Sequence, residues 1–175
     1  MFIDLCMKRR SYRKYTEEKV TDEEIKYILK CALLAPTAKN LDSRKFIVVT
    51  DKSMLSSLSE FKKSNAGFLK NASAAIVVLT DKNIAINTYS QDASIAATYI
   101  MLASEDLNLG SCWVNVRDEK NSDGKYGYFI IRELLNIPEN YNVECIIGIG
   151  HKNEILRDKR ELDYNEHVYY EKYTK

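Results

Sequence analysis

Residues 8–14 read Lys-Arg-Arg-Ser-Tyr-Arg-Lys, which places five cations and two hydroxyl groups together with no acid among them. Arginine offers a planar fork of N–H donors that matches phosphate and carboxylate groups, so this segment is suited to binding an anion. A second polar segment, residues 35–40, follows one helix length later and is rich in short side chains and backbone donors. These two segments are the first candidates for a binding site.

The composition gives these segments a local rather than a global role. The chain has 26 Lys and Arg against 25 Asp and Glu, a net charge of +1, so it has no overall attraction for nucleic acid or anionic membranes. Its 175 residues fit one domain, 1–175. No apolar run approaches the roughly 20 residues that span a bilayer, and no apolar signal segment precedes Lys8. We therefore expect a single-domain cytoplasmic protein without a nucleic-acid or membrane partner.

A capped helix separates the two polar segments. Thr21-Asp22-Glu23-Glu24 is a capping box, and apolar residues then recur at helical spacing, which predicts a helix over 22–35. Pro36 disfavours continuation of this helix. Residues 37–40 are therefore predicted as a loop ahead of a strand at 46–49.

The rest of the chain alternates between helical and strand patterns. The run at 74–79 is apolar without alternation, which is typical of a strand buried on both faces, and the helix over 92–107 is apolar nearly all round, which suits a core or a subunit interface. The other predicted elements are helices near 52–62 and 126–135 and strands at 112–116 and 143–149. The pattern is that of an α+β fold. From about residue 151 the chain becomes polar and aromatic, too poor in aliphatic residues for its own core, so we expect an arm that lies across another surface.

The thiols and imidazoles do not suggest a metal site. Each of the four cysteines stands among apolar residues without zinc-site spacing, so they are predicted to be buried free thiols: Cys6, Cys31, Cys112 and Cys145. His151 and His167 have no further ligands nearby in the sequence and are interpreted as structural.

Four motifs in order resemble the nitroreductase family of flavin-dependent oxidoreductases. They are Arg9–Arg13, Pro36–Asn40 before a strand, Leu107–Trp113 and Gly148–His151. The resemblance implies an α+β fold with a central mixed sheet flanked by helices. It also implies an intertwined homodimer with FMN at the dimer interface, bound by residues of both subunits.

The resemblance assigns the first segment to FMN. Arg9, Arg10, Ser11 and Arg13 match the family motif in which basic residues serve the phosphate and the flavin pyrimidine edge and the serine serves the ribityl chain. A cation near flavin N1 and O2 raises the reduction potential, and we assign Arg13 to that task. Without the other motifs, a solvated basic helix end is the better interpretation of this segment.

The second segment is assigned to the flavin of the partner subunit. Pro36, Thr37, Ala38 and Asn40 match the family loop that reaches across the dimer, with the Asn40 amide directed to the polar edge of the ring. The family usually continues with a sequence close to Gln-Pro-Trp, whereas this chain continues with residues 41–44, Leu-Asp-Ser-Arg. This departure bears on the shape of the pocket and its substrate side. A plain turn between helix and strand is the alternative.

Five further residues complete the expected site. Asn115 and Val116 match the strand end that faces flavin N5, and Arg157 and Lys159 match the basic pair that completes the phosphate site. Asn65 is a candidate for the pyrimidine edge. Asn115 also fits an ordinary strand end, and Arg157 and Lys159 also fit a solvated charge cluster.

The resulting hypothesis is an exchange in which NADH or NADPH delivers hydride to FMN and leaves before an electron-poor acceptor, such as a nitroaromatic or quinone, takes its place. The flavin carries this chemistry, so no side-chain nucleophile is required. The same fold could reduce a halogenated aromatic, an enone or a flavin itself, and the unusual residues 41–44 suggest a non-catalytic flavin-binding or sensing module as an alternative. A single-stranded nucleic-acid binder is disfavoured because the basic patch is short and the net charge near zero.

Overall fold

The computed structural model describes residues 1–157 and 159–173; Asp158, Thr174 and Lys175 of the predicted arm lie outside the described residues. Two short 3-10 turns, Ala38–Asn40 and Gly67–Asn71, accompany the regular elements. In chain order these elements are α1 (Phe2–Lys8), α2 (Asp22–Leu33), β1 (Arg44–Val49), α3 (Lys52–Leu58), β2 (Ala74–Asp81), α4 (Tyr89–Asp106), β3 (Leu109–Asn115), α5 (Gly127–Leu135), β4 (Tyr141–His151) and α6 (Tyr164–His167).

The four strands form one sheet in the order β1-β2-β4-β3, and each neighbouring pair is antiparallel. The α+β class predicted from the sequence is confirmed. The resemblance implied a mixed sheet, whereas all three ladders are antiparallel. Among the described residues, parallel pairing is limited to an isolated bridge between Ser11 and Ser111 at the free edge of β3.

Helices cover both faces of the sheet, so the chain has two apolar cores. Ile76 and Val78 of β2 pack under α2 and α4, while Ala75 and Val77 of the same strand face α3 and α5. All four side chains are fully buried. This arrangement explains the unbroken apolar run at 74–79 and confirms that it is a central strand.

The helix boundaries agree with the sequence where caps are present. Thr21 and Glu24 form the predicted capping box, and α2 ends at Leu33, close to the predicted end. The helix predicted near 52–62 is too long, because α3 ends at Leu58 and the next residues turn to bury Phe61 completely. The sequence analysis also missed α1, which is short and has no buried residue.

Helix α4 is longer than predicted at its start and is buried along one side rather than all round. Ala93, Ala97 and Ile100 are fully buried, but Ile95 and Tyr99 keep 37% of their surface exposed. One face of this helix is therefore uncovered in the isolated chain.

After β4, the chain has few partners of its own. Ile155 is 102% exposed, and Tyr170 and Tyr173 are each 71% exposed. A single four-residue helix, α6, forms in the described part of this region. No helix among the described residues is long and apolar enough to cross a membrane.

Candidate functional site

The segment that follows α1 docks against the sheet edge. The backbone N–H of Tyr12 donates to the Ser111 carbonyl at 3.0 Å, and that of Thr16 donates to the His151 carbonyl at 3.0 Å. The Tyr15 ring lies over Gly150, where a Cβ atom would come within 2.7 Å of the ring. Because residue 150 has no side chain, the Tyr15 ring can pack directly against β4 and the cationic segment lies close to the sheet.

The structure brings three of the predicted phosphate residues together. The Arg10 Nη1 atom donates to the Arg157 carbonyl at 2.6 Å, and Lys159 Nζ donates to the Cys6 carbonyl at 2.9 Å, near the C-terminus of α1. All three residues line one open cavity of about 820 Å³. Five cations line this cavity against one carboxylate, that of Glu161; the cations are Lys8, Arg10, Arg157, Lys159 and Arg160.

Arg9 and Arg13 do not line this cavity and lie near α4 and β3 instead. Arg9 Nη1 contacts the Met101 sulfur at 3.8 Å. Ser11 and Arg13 lie close enough to the buried Cys112 thiol to influence its pKa. The backbone N–H groups of Arg13 and Lys14 both donate to the Glu154 carboxylate, which therefore fixes the turn of the segment. The sequence analysis missed Glu154, because no local pattern distinguishes it from other surface acids.

The thiols differ from the sequence prediction in one respect. All four are free and Cys112 and Cys145 are buried as predicted, but Cys6 and Cys31 are only half-buried. Burial raises the pKa of Cys112, partly offset by the charge of Arg13 and the Ser11 hydroxyl, and burial raises the pKa of Cys145 well above its ordinary value.

A raised pKa lowers the thiolate fraction at every pH below it, and the thiolate is the reactive form. We expect iodoacetamide at pH 8 to leave Cys112 and Cys145 unmodified in the folded protein, whether or not a second copy covers Cys6 and Cys31. Peptide mapping by mass spectrometry measures this. In 8 M urea all four should react, and early labelling of Cys112 in the folded protein would contradict the described packing.

The loop predicted to reach the partner subunit is anchored away from the cationic segment. The backbone N–H of Ala38 donates to Asp92 Oδ1 of α4 at 3.0 Å, and Lys39 and Asn40 adopt positive φ angles of 53° and 55°. The Asp92 side chain is buried and its second oxygen has no partner among the described residues. No hydrogen bond between described residues joins Pro36, Thr37, Ala38 or Asn40 to residues 9–14. Within one chain, the two predicted halves of the site contact α4 at different places, the loop at Asp92 and Arg9 at Met101.

The unusual residues 41–44 have a structural role. The Arg44 side chain is only 3% exposed, and its guanidinium donates to the carbonyls of Ala32 and Ala35 at 3.4 and 3.0 Å, at the C-terminal end of α2. Its Nε atom also pairs with Asp42 Oδ1 at 3.1 Å. Arg44 therefore caps α2 and joins it to the start of β1, so its charge is used within the fold.

A lysine that the sequence analysis missed connects the remaining candidates. Lys62 Nζ donates to the Asn115 carbonyl at 3.2 Å and pairs with Glu119 at 3.3 Å, with only 6% of its side chain exposed. Lys62 and Asn65 also line one cleft of about 550 Å³. Asn115 is exposed at the end of β3, whereas the Val116 side chain is completely buried, so Val116 can offer only its backbone to a ligand. The sole sequence signal for Lys62 is the cation pair after Phe61.

The histidines take part in no metal cluster among the described residues. No group of three or more His, Cys, Asp or Glu side chains is placed to hold a metal ion there. His151 Nδ1 lies 3.7 Å from a Glu18 carboxylate oxygen, in a packing position at the end of β4.

Comparison with known proteins places this geometry in a family. The model of the nitroreductase family matches residues 6–66 and 51–151. The solved structure of an FMN-dependent nitroreductase from Clostridium difficile R20291 is 44% identical, with a TM-score of 0.92, and the match covers 98% of this chain and 99% of that one.

Two curated relatives extend the comparison. A candidate NADH dehydrogenase/NAD(P)H nitroreductase of Archaeoglobus fulgidus is 40% identical over 158 residues, which is 85% of this chain and 86% of the relative. An iodotyrosine deiodinase of Thermotoga neapolitana is 25% identical over 179 residues, covering 88% and 90% of the two chains. The family match, the fold and the order of the motifs agree, and this chain belongs to the nitroreductase family.

Proposed function

We propose that this chain binds FMN and passes hydride from NADH or NADPH to an electron-poor acceptor such as a nitroaromatic or a quinone. The observation that carries the proposal is the cavity in which Arg10, Arg157 and Lys159 converge from opposite ends of the chain. Arg10 and Lys159 donate hydrogen bonds to backbone carbonyls, and the cavity is lined by five cations and a single carboxylate. Such a surplus of positive charge matches the doubly charged phosphate of FMN.

The donor groups beyond this cavity fit the rest of the cofactor. Ser11 offers a hydroxyl for the ribityl chain, and Arg13 supplies the cation for the pyrimidine edge, next to the β3 edge that the segment follows. Lys62 holds the Asn115 carbonyl and thereby fixes the strand end that we assign to the reactive edge of the flavin. Bound FMN supplies the hydride exchange itself, while these residues bind it, orient it and set its potential.

We also propose that the working unit is a homodimer. Apolar side chains stay exposed on α1 and at the end of α2, among them Phe2 at 69% and Leu34 at 73%. A groove of about 310 Å³ between α1, α2 and α4 adjoins the uncovered face of α4. A second copy would cover these surfaces and bring the loop at 36–40 to the other subunit's flavin. Light scattering on the eluted protein should give twice the mass of the chain; a monomer that retains FMN would contradict this part. The cytoplasmic location stays a prediction.

Two observations bear on the alternative functions. Arg44 is buried against α2, so residues 41–44 no longer favour a non-catalytic module. The deiodinase relative keeps halogenated aromatics among the acceptors to be tested.

The decisive experiment is a spectrum of the purified chain after incubation with FMN and desalting, followed by anaerobic NADH and then NADPH. Retained flavin bands that bleach on addition of a nicotinamide are expected, and mixing the reduced protein with a nitroaromatic, a quinone or a halogenated phenol in stopped flow then ranks the acceptors. Retained flavin that neither nicotinamide bleaches would reduce the function to flavin binding, and no retained flavin would overturn the proposal.

A further inference from the structure

A further, smaller cavity lies where β3 ends and β4 begins, between the start of α4 and the side of α5. Its volume is about 260 Å³, and it shares no lining residue with the two cavities assigned to the flavin site. Three aromatic rings contribute to its wall, those of Tyr89, Tyr128 and Tyr141. Each ring is half-buried.

A β-bulge directs a carboxylate into this cavity. Val78 pairs with Cys145 and Leu79 with Val143, so Glu144 is an extra residue in β4. Bulges redirect side chains in this way and are frequent beside functional sites. The Glu144 carboxylate is buried, and both of its oxygens are bonded, Oε1 to the Thr80 hydroxyl at 2.8 Å and Oε2 to Arg117 at 3.2 Å.

The carboxylate holds one arginine in place, and the cavity contains another without an anion. Arg117 also donates to the Ser90 hydroxyl at 2.7 Å, so its guanidinium is fixed at the wall. Arg132, from α5, has a buried Nε atom with no hydrogen-bond partner and forms no ion pair within residues 1–157 and 159–173. A buried, unpaired N–H on a charged group is costly, and native proteins rarely keep one without a role.

The charges around Arg132 favour an anion of single charge. The cationic side chains that face the cavity are Lys82, Arg117 and Arg132, and the acidic ones are Asp118 and Glu144. Both carboxylate oxygens of Glu144 already accept hydrogen bonds. Lys82 Nζ donates to the Glu139 carbonyl at 2.9 Å. The lining therefore carries one net positive charge, and the Arg132 side chain has neither a hydrogen bond nor an ion pair among the described residues.

We propose that this cavity binds a small aromatic carboxylate, with the carboxylate on the Arg132 guanidinium and the ring among the three tyrosines. Arginine pairs with carboxylates through parallel N–H donors, and aromatic rings pack edge-to-face or offset against one another. The volume suits an acid with a single ring. The proposal is independent of the flavin site, since no residue is shared between them.

Benzoate is the test ligand, with benzamide as its neutral counterpart of the same shape. Calorimetric titration of the FMN-loaded protein should show benzoate binding with a Kd on the order of 1 mM or below and much weaker binding of benzamide. Arg132→Met should weaken benzoate binding by about 10- to 150-fold, the range expected for the loss of a charge-assisted hydrogen bond. Lys26→Met, on the exposed face of α2, is the matched control and should bind benzoate as the wild type does.

Two further measurements separate this cavity from the flavin site and from a folding defect. The protein should bind benzoate equally well with and without FMN, whereas Tyr128→Trp, which keeps every charge but narrows the cavity, should weaken the binding. Equal binding of benzoate and benzamide, undiminished binding by Arg132→Met, or binding that requires FMN would each overturn the proposal. A crystal structure with a partner subunit's carboxylate on Arg132 would overturn it as well.

Discussion

We expect Arg10→Ala to lower the affinity of the protein for FMN by about 10- to 150-fold, because a hydrogen bond to a charged group contributes about 1.5–3 kcal/mol. Arg10 lines the cation-rich cavity, and its Nη1 atom bonds to the Arg157 carbonyl at 2.6 Å. The substitution therefore removes a proposed phosphate ligand and also the hydrogen bond to the segment that carries Arg157. A surface cation would produce neither effect.

Quenching of FMN fluorescence on titration with apoprotein measures this affinity. Lys26→Ala provides the control, because Lys26 is an exposed cation on α2, outside both flavin cavities. The difference in FMN affinity between the wild type and Arg10→Ala should shrink as salt is added, because salt screens phosphate contacts near a protein surface. If Arg10→Ala binds FMN as tightly as the wild type, the assignment of Arg10 to the phosphate is wrong.

Much of the fold could be predicted because its helices and strands are marked by local patterns that can be recognised in a single sequence. The capping box at Thr21 locates the start of α2, and the unalternating run at 74–79 identifies a strand that is buried on both faces. Errors arose where tertiary burial overrode local propensity. Phe61 ends the regular helix early because its ring is buried below α5, against Gly127.

The candidate site was less predictable, because most of its contacts join residues far apart in the chain. Arg10 and Arg157 were each identified by family motif, but their contact spans 147 positions. Lys62 and Glu154 belong to no motif, and their roles depend on a strand end and on a turn that only the folded chain brings to them. Arg44 was interpreted as a departure that alters the pocket, whereas its guanidinium points into the fold.

Arg44→Met is expected to reduce the free energy of unfolding by about 2–4 kcal/mol, because it leaves the carbonyls at the end of α2 without a charged donor in a buried place. The Arg44 side chain is 3% exposed and bonds to Ala32, Ala35 and Asp42. Methionine fills much of the same space, so the effect measures the lost hydrogen bonds more than a cavity. The midpoint of thermal unfolding should fall by roughly 5–15 °C.

Urea unfolding of both proteins at one protein concentration gives this difference, since dimerisation makes stability depend on concentration. Lys45→Met, the neighbouring exposed cation, should change stability by less than about 0.5 kcal/mol. Equal stability of Arg44→Met and wild type would contradict the capping role. If Arg44 acts through the fold alone, the destabilised variant should keep the wild-type ranking of acceptors at a temperature where it is folded, because its guanidinium never faces the substrate. A changed ranking would instead return residues 41–44 to the substrate side of the pocket, where the family resemblance first placed them.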